Sequence, residues 1–218
     1  MANLDPRTFE QFMNQARIKL PGASDAGIKV ELFDTMKEFL KDSNAWTEDI
    51  LFTAAANTTD YLLTPLQDGG QIIRLVGVWD DKQIPVPSFM PTFGTIRMVH
   101  QPSISSSQPQ WTARVIKNIA LPTTREDIPV APDWLLGVYS VDILDGLLGK
   151  MMGQQAKSYS NGTMSTYHLR RFRTAIQTAR TAAIRQNTQG AQEWAFPRGW
   201  GCNTQRGGVS TAWPTRAF

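Results

Sequence analysis

Residues 134–152 form the stretch that most restricts how this chain can fold. The stretch is nearly all apolar, and its charged residues are Asp142, Asp145 and Lys150. Its length is that of a membrane span, but two aspartates in the middle of a span would be costly in lipid. The stretch therefore predicts a core helix that is buried on most of its sides and starts near residues 132–133, Pro-Asp.

The predicted helix also contains two acids, which need an explanation, and glycines, which affect how it packs. Asp142 and Asp145 lie about one turn apart, so they could form a functional acid pair. The alternative is structural, with hydrogen bonds to a neighbouring helix, for example to an arginine of the last helix. We favour the structural interpretation because no His, Lys or Cys is evidently placed to complete a site. Four glycines would let another helix approach closely: Gly137, Gly146, Gly149 and Gly153.

Two helices are predicted before the pattern changes at Thr47. Residues 6–20 can form a short helix that ends at the Pro-Gly pair 21–22. A second helix is expected to start with Ser24 or Asp25 as its N-cap. Its core residues fall on one helical face: Ile28, Leu32, Met36, Phe39 and Leu40.

Short β-branched and aromatic runs from Thr47 to about Leu121 predict strands. Turn sequences such as "DGG" and "DDK" separate these runs, and residues 72–79 form the clearest strand. We expect about five or six strands. They would form a small antiparallel sheet or sandwich inserted between the helical segments.

The last helix is predicted over residues 163–187 and carries much of the positive charge of the chain. From residue 160 onwards there are eight arginines, no lysine and a single acid, Glu193, so this part carries +7 whereas the rest carries −4. The basic end is a candidate surface for phosphates or for an acidic partner. The alternative is a solvated cationic helix face. A narrow inner stripe should pack on the preceding helix: Phe172, Ile176, Ala179 and Ala183.

Residues 189–218 have no helical or strand period, yet they are rich in aromatic side chains. The segment "QEWAFPRGWG", residues 192–201, combines two Trp, a Phe, a Pro and an Arg. Such side chains need a pocket, and a partner protein can supply it, since Trp and Arg are frequent anchors of interfaces. We expect an extended tail that docks on another protein through these residues: Trp194, Phe196, Pro197, Arg198, Trp200, Trp213 and Phe218.

Recognisable catalytic and metal-binding motifs are absent from the sequence. Cys202 is the single cysteine, so an intrachain disulfide is excluded, and with His100 and His168 it cannot make an ordinary zinc site. We expect no enzymatic activity, no metal and no cofactor. The cysteine usage and the N-terminal sequence favour synthesis in a reducing cytoplasm.

Together these patterns predict an α+β fold. It would consist of a helical bundle, an inserted small antiparallel β-sheet or sandwich, and an extended C-terminal tail. The predicted parts are residues 1–46 (leader and helix), 47–131 (β insert), 132–188 (long helices that complete the helical domain) and 189–218 (tail).

The order of these parts resembles the head-to-tail adaptors, or connector and tail tubular proteins, of tailed bacteriophages, above all the short-tailed ones. The resemblance covers roughly residues 25–200 and rests on element order and a few aromatics rather than on an invariant signature. The segments that carry it are "ELFDTMKEFLKDSNAWTEDILF", "DYLLTPLQDGGQIIRLVGVWDDKQIPV", "IPVAPDWLLGVYSVDILDGLLGKM", "YHLRRFRTAIQTARTAAIRQ" and "EWAFPRGW". The stretch past Trp200 is longer and richer in glycine than in that family.

The resemblance implies a structural virion protein at the head–tail junction, without enzymatic activity. It implies a homo-oligomeric ring of about twelve copies, which would use heterologous interfaces. The tail would reach into the portal protein, the β insert would contact the tail nozzle or the next tail component, and DNA would pass through the lumen without specific binding. Four arginines would face the DNA channel or a neighbouring subunit: Arg170, Arg171, Arg173 and Arg180.

Two alternatives stay open. A nucleic-acid-binding module could use the arginine-rich last helix and the aromatic tail, because arginine and stacking aromatics suit single strands. Against it, the chain before residue 160 is acidic overall. An enzyme would need a deep pocket lined by clustered carboxylates or His.

Overall fold

A computed structural model of the chain describes residues 4–64, 70–100, 110–120, 128 and 131–187. The described part has an α+β fold, as predicted, with four helices and seven strands. The helices are α1 (Pro6–Lys19), α2 (Asp25–Ser43), α3 (Trp134–Met152) and α4 (Gly162–Asn187). The strands are β1 (Thr47–Thr53), β2 (Asp60–Leu62), β3 (Gly70–Trp79), β4 (Pro85–Val86), β5 (Ser88–Thr92), β6 (Thr95–Met98) and β7 (Gln110–Ile119). The four segment boundaries stay a prediction, and the expected tail lies outside the described residues.

The first two helices start at side chains that satisfy free backbone N–H groups. The Asp5 carboxylate accepts from the N–H of Arg7 at 2.9 Å, and the Ser24 hydroxyl accepts from the N–H of Gly27 at 3.2 Å. α2 ends at Asn44, which adopts a left-handed conformation. All five residues of the predicted inner face of α2 are fully buried. This part of the prediction is confirmed.

α3 is the central core helix that its apolar sequence predicts. Residues 143–149 are buried without interruption, and α1 and α2 both pack against this helix. A kink at Tyr139, with φ −111° and ψ 21°, was not predicted. The Tyr139 ring packs 4.8 Å from that of Phe39, measured between centroids, so a tertiary contact accompanies the break in the helix.

The strands form two antiparallel sheets around a second core. One sheet has the order β1-β7-β3-β4 and the other the order β2-β6-β5. Their inner faces share one apolar cluster, which includes Ile50, Tyr61, Ile96 and Val115. The arrangement is the small sandwich that the strand pattern predicts.

A buried ion pair links β1 to β7 next to the helical core. The Nζ of Lys117 lies 2.7 Å from Oε2 of Glu48, and the two side chains are 0% and 6% exposed. The same ammonium group lies 4.8 Å from the ring centroid of Trp46, which belongs to the helical core. The pair therefore occupies the boundary between the two hydrophobic cores.

We expect Lys117→Met to destabilise the protein by about 3–5 kcal/mol, because the Glu48 carboxylate would stay buried without its lysine. The loss should be smaller when Glu48→Gln is added. Urea unfolding of the single and double variants measures this coupling. The exposed Arg97–Asp60 pair is the control, and its removal should have little effect; equal losses at both pairs would contradict the prediction.

Glycines allow α4 to approach α3 closely. A Cβ at Gly149 would lie 2.7 Å from Cγ and 3.0 Å from the backbone nitrogen of Leu169, whereas a Cβ at Gly137 would meet nothing within 4 Å. The prediction of close packing is confirmed at Gly149 and also at Gly146, where a Cβ would lie 2.7 Å from the Phe172 ring.

We expect Gly149→Ala to destabilise the protein by about 1–3 kcal/mol, because the added methyl overlaps a backbone atom of α4. Gly137→Ala makes the same chemical change in open space, where alanine is the better helix former, and should be neutral or stabilising by up to about 1 kcal/mol. Thermal unfolding of the two variants tests the difference. If Gly149→Ala were as stable as Gly137→Ala, the close contact would not constrain the helix pair.

Candidate functional site on the basic helix

The arginines of α4 lie on two opposite flanks of a buried stripe. Phe172, Ile176, Ala179 and Ala183 are buried as predicted, and the four predicted arginines are exposed. Arg170 and Arg171 line a groove beside α3, whereas Arg173 and Arg180 line a cleft formed with α2 and β3. The structure therefore divides the four arginines between two surfaces instead of bringing them together.

The first surface, the helical groove, lies between α3 and α4 and has a volume of about 540 Å³. Its lining is mostly aromatic and polar and includes Tyr139, Asp142, Tyr167, Arg170, Arg171 and Thr174. The Arg171 guanidinium lies 5.7 Å from the Tyr167 ring centroid, in cation–π contact. A hydrogen bond to the Tyr167 hydroxyl and the charge of Asp145 raise the pKa of Arg171.

A buried charge cluster lies next to this groove. Oδ1 of Asp145 lies 2.8 Å from Nδ1 of His168, and Oδ2 lies 3.0 Å from Nε of Arg171. The second contact is an ion pair in which the N–H is not aligned for a hydrogen bond. Asp145 and His168 are 6% and 10% exposed, so most of this cluster is shielded from water. The cluster ties α4 to α3 electrostatically.

The contacts expected for Asp145 with the last helix are present, because its partners are two side chains of α4. The expectation that no His is placed beside the acid pair was wrong, since His168 contacts Asp145. The placement of His168 was missed. The sequence carries only a weak signal for the contact between Asp145 and His168, since only the antiparallel packing of α3 and α4 brings the two residues together.

Asp142 differs from Asp145. Burial, followed by the charge of Asp145, raises the pKa of the Asp142 carboxyl, while Arg171 acts in the opposite direction.

The second surface, the basic cleft, has a volume of about 350 Å³. Its cationic lining comes from three elements: Lys41 from α2, Arg74 from β3, and Arg173 and Arg180 from α4. Glu38 and Asp42 also line it. Sequence analysis predicted Arg173 and Arg180 but not the other two cations, because their positions depend on the packing of the sheet against the helices.

A row of threonines covers part of the outer face of α4. The hydroxyls of Thr166, Thr174, Thr178 and Thr181 each donate to the carbonyl oxygen four residues earlier, at 2.9 to 3.1 Å. These bonds use the hydroxyl protons within the helix itself.

Exposed apolar side chains lie on both the helical and the strand parts of the chain. On α3, Trp134, Val138 and Val141 are exposed at the spacing of successive turns. In the second sheet, Leu62 and Phe89 are exposed, and so is Phe93 in the turn between β5 and β6. Groups of exposed apolar residues are typical of interaction surfaces.

The predicted docking residues of the tail, from Trp194 to Phe218, lie outside the described residues. In the part of the chain that the structure describes, no group of three or more His, Cys, Asp or Glu side chains could hold a metal ion. None of the described helices combines the length and the apolar character needed to cross a membrane.

No protein-family model and no curated protein matches the chain.

We expect Asp145→Asn to destabilise the protein by about 1–3 kcal/mol, because the buried His168 and the exposed Arg171 on α4 lose a charged partner. Asp142→Asn is the matched control one turn away. It should stabilise the protein at neutral pH, because an ionised Asp142 is unfavourable in the folded state.

The effect of Asp142→Asn should depend on pH. Burial raises the pKa of Asp142 in the folded state above its ordinary value, so the folded state binds the proton more tightly. Stability therefore falls as the pH rises from the ordinary pKa through the raised one. The stabilisation by Asp142→Asn should therefore be present at pH 7 and disappear below about pH 4. Urea unfolding at both pH values measures it, and a gain that persists in acid would contradict the electrostatic cause.

Proposed function

We propose that the chain is a structural protein of a tailed-bacteriophage virion: a ring-forming head-to-tail adaptor that joins the portal to the tail nozzle and surrounds the passage for DNA. The proposal starts from the resemblance in element order. The observation that supports it best is the presence of two cores in one chain, one helical and one made of strands, each with its own exposed apolar group.

Two separate exposed surfaces on different elements suit a subunit that contacts different neighbours. A cyclic ring needs heterologous interfaces, in which each copy offers two unlike faces. The α3 stripe of Trp134, Val138 and Val141 and the sheet residues Leu62, Phe89 and Phe93 provide such faces. In the proposed assembly, the strand part contacts the nozzle or the next tail component.

The aromatic tail is proposed to dock on the portal ring. Many tails that act together on one ring gain affinity from multivalency, even when each contact is weak. The large aromatic side chains offset the entropy that is lost when an extended segment becomes ordered on binding. Arg198 adds a group suited to acidic surfaces.

A second candidate function is a nucleic-acid-binding module. The observation in its favour is the set of exposed arginines on both flanks of α4. Its affinity for a single strand should fall steeply with salt. The adaptor needs no such affinity, because a channel passes DNA rather than holding it.

Native mass spectrometry of the full chain, alone and mixed with the portal ring of the same phage, tests the adaptor. We expect about a dozen copies per portal ring, and we expect deletion of residues 190–218 to abolish joining. Trp194→Ala combined with Trp200→Ala should weaken joining strongly, because these variants remove the anchors and keep the chain length.

Val209→Ala is the control for the tryptophan variants, since it removes an apolar side chain from the same tail but no aromatic ring. A chain that ignores the portal, or a tail deletion that joins it normally, would overturn the corresponding part of the proposal.

A further inference from the structure

The basic cleft brings unpaired guanidinium groups together. Arg74, Arg173 and Arg180 come from two elements and line one cleft, yet none of them has an ion-pair partner among the residues that the structure describes. By contrast, Arg17, Arg97 and Arg114 each form a carboxylate pair at 2.6 to 2.9 Å. In this respect the cleft differs from the environments of Arg17, Arg97 and Arg114.

The two carboxylates of the cleft leave an excess of positive charge. Glu38 is engaged by Lys150 at 2.7 Å, so its charge is largely compensated from outside the lining. Asp42 remains as the acid that faces the four cations. Like charges held close together repel each other, and an anion between them would remove this repulsion.

The donor chemistry of the cleft suits a phosphate group. Each guanidinium offers five N–H donors in a planar fork, which matches phosphate oxygens well. Gln177 lies between Arg173 and Arg180 along the same face of α4 and adds an amide donor to the lining. Asn44 also lines the cleft, and its buried Oδ1 has no hydrogen-bond partner among the described residues. Rotation of that amide about its last bond would present an N–H donor instead.

We propose that the basic cleft is a binding site for a single phosphate group, held by Arg74, Arg173 and Arg180 with Lys41 as a further cation. Three arginines provide more donors than the two oxygens of one carboxylate can accept, which favours phosphate over an acidic side chain. Asp42 limits the cleft to one phosphate, because an extended polyanion that passed along it would meet this carboxylate. The site belongs to the single chain and does not depend on the adaptor role or on ring formation.

Two sources carry this chemistry: a free phosphate or nucleotide, and the backbone of a nucleic acid. The experiment titrates the full-length chain with inorganic phosphate by calorimetry and with a labelled DNA duplex of about 20 base pairs by fluorescence anisotropy at several salt concentrations. Phosphate binding without DNA binding assigns the site to the free ligand. DNA binding assigns the site to a backbone phosphate if the slope of log affinity against log salt concentration is smaller by about one in the cleft variant.

The cleft variant combines Arg74→Gln and Arg180→Gln, both at exposed positions, and thermal unfolding checks that it folds. We expect the cleft variant to bind at least about tenfold more weakly whichever of the two probes binds the unaltered protein. Arg7→Gln, an exposed arginine of α1, is the matched control and should change binding little.

Three results would overturn the proposal. The first is no binding of either probe. The second is an equal loss with Arg7→Gln or with Arg170→Gln, which would show a diffuse electrostatic field rather than a site. The third is binding of a glutamate-rich peptide, lost in the cleft variant, without binding of phosphate or DNA; the partner would then be an acidic protein.

Discussion

The structure depends on how one buried ion pair is placed between two hydrophobic cores. Along one face of β7, Ala113 and Val115 belong to the core of the sheets and Ile119 belongs to the helical core, with Lys117 between them. Glu48 takes the same intermediate position between Trp46 and Ile50. An apolar pair at this position could pack in several registers. A buried lysine and glutamate can offset the free-energy cost of losing water in only very few registers, because they must contact each other. We interpret the pair as the contact that fixes the register of β1 on β7 where the two cores meet.

The helices could be predicted well because their signals are local. Spacing of apolar residues placed the inner faces of α2 and α4, and the structure selects Ser24 from the two predicted N-caps of α2. The buried pair could not be predicted in the same way. A lysine in a strand is normally exposed, and Glu48 lies 69 residues away along the chain. The kink at Tyr139 was also missed, since the packing of its ring on Phe39 depends on the tertiary structure.

The candidate site was predicted only in part. Sequence analysis singled out four of the five arginines of α4. A helical wheel separates Arg173 and Arg180 from Arg171 on the two sides of the buried stripe. What each flank faces could not be deduced, because Arg74 and Lys41 come from elements that only folding brings to the same cleft. The His168–Asp145 contact depends on the antiparallel pairing of two helices, so composition and motif spacing carry no trace of it.

The threonines of α4 have a consequence for anything that lies against this helix. Since their hydroxyl protons are used within the helix, the row presents methyl groups and oxygen lone pairs, with no hydroxyl donor left over. Directional hydrogen bonds would hold a neighbour in one position along the helix axis. The threonine row, which lies between the arginines, offers few such hydrogen bonds. A neighbouring molecule could therefore shift along the helix axis at little energetic cost. On this face, charge and shape rather than hydrogen-bond geometry would set the position of a neighbouring molecule.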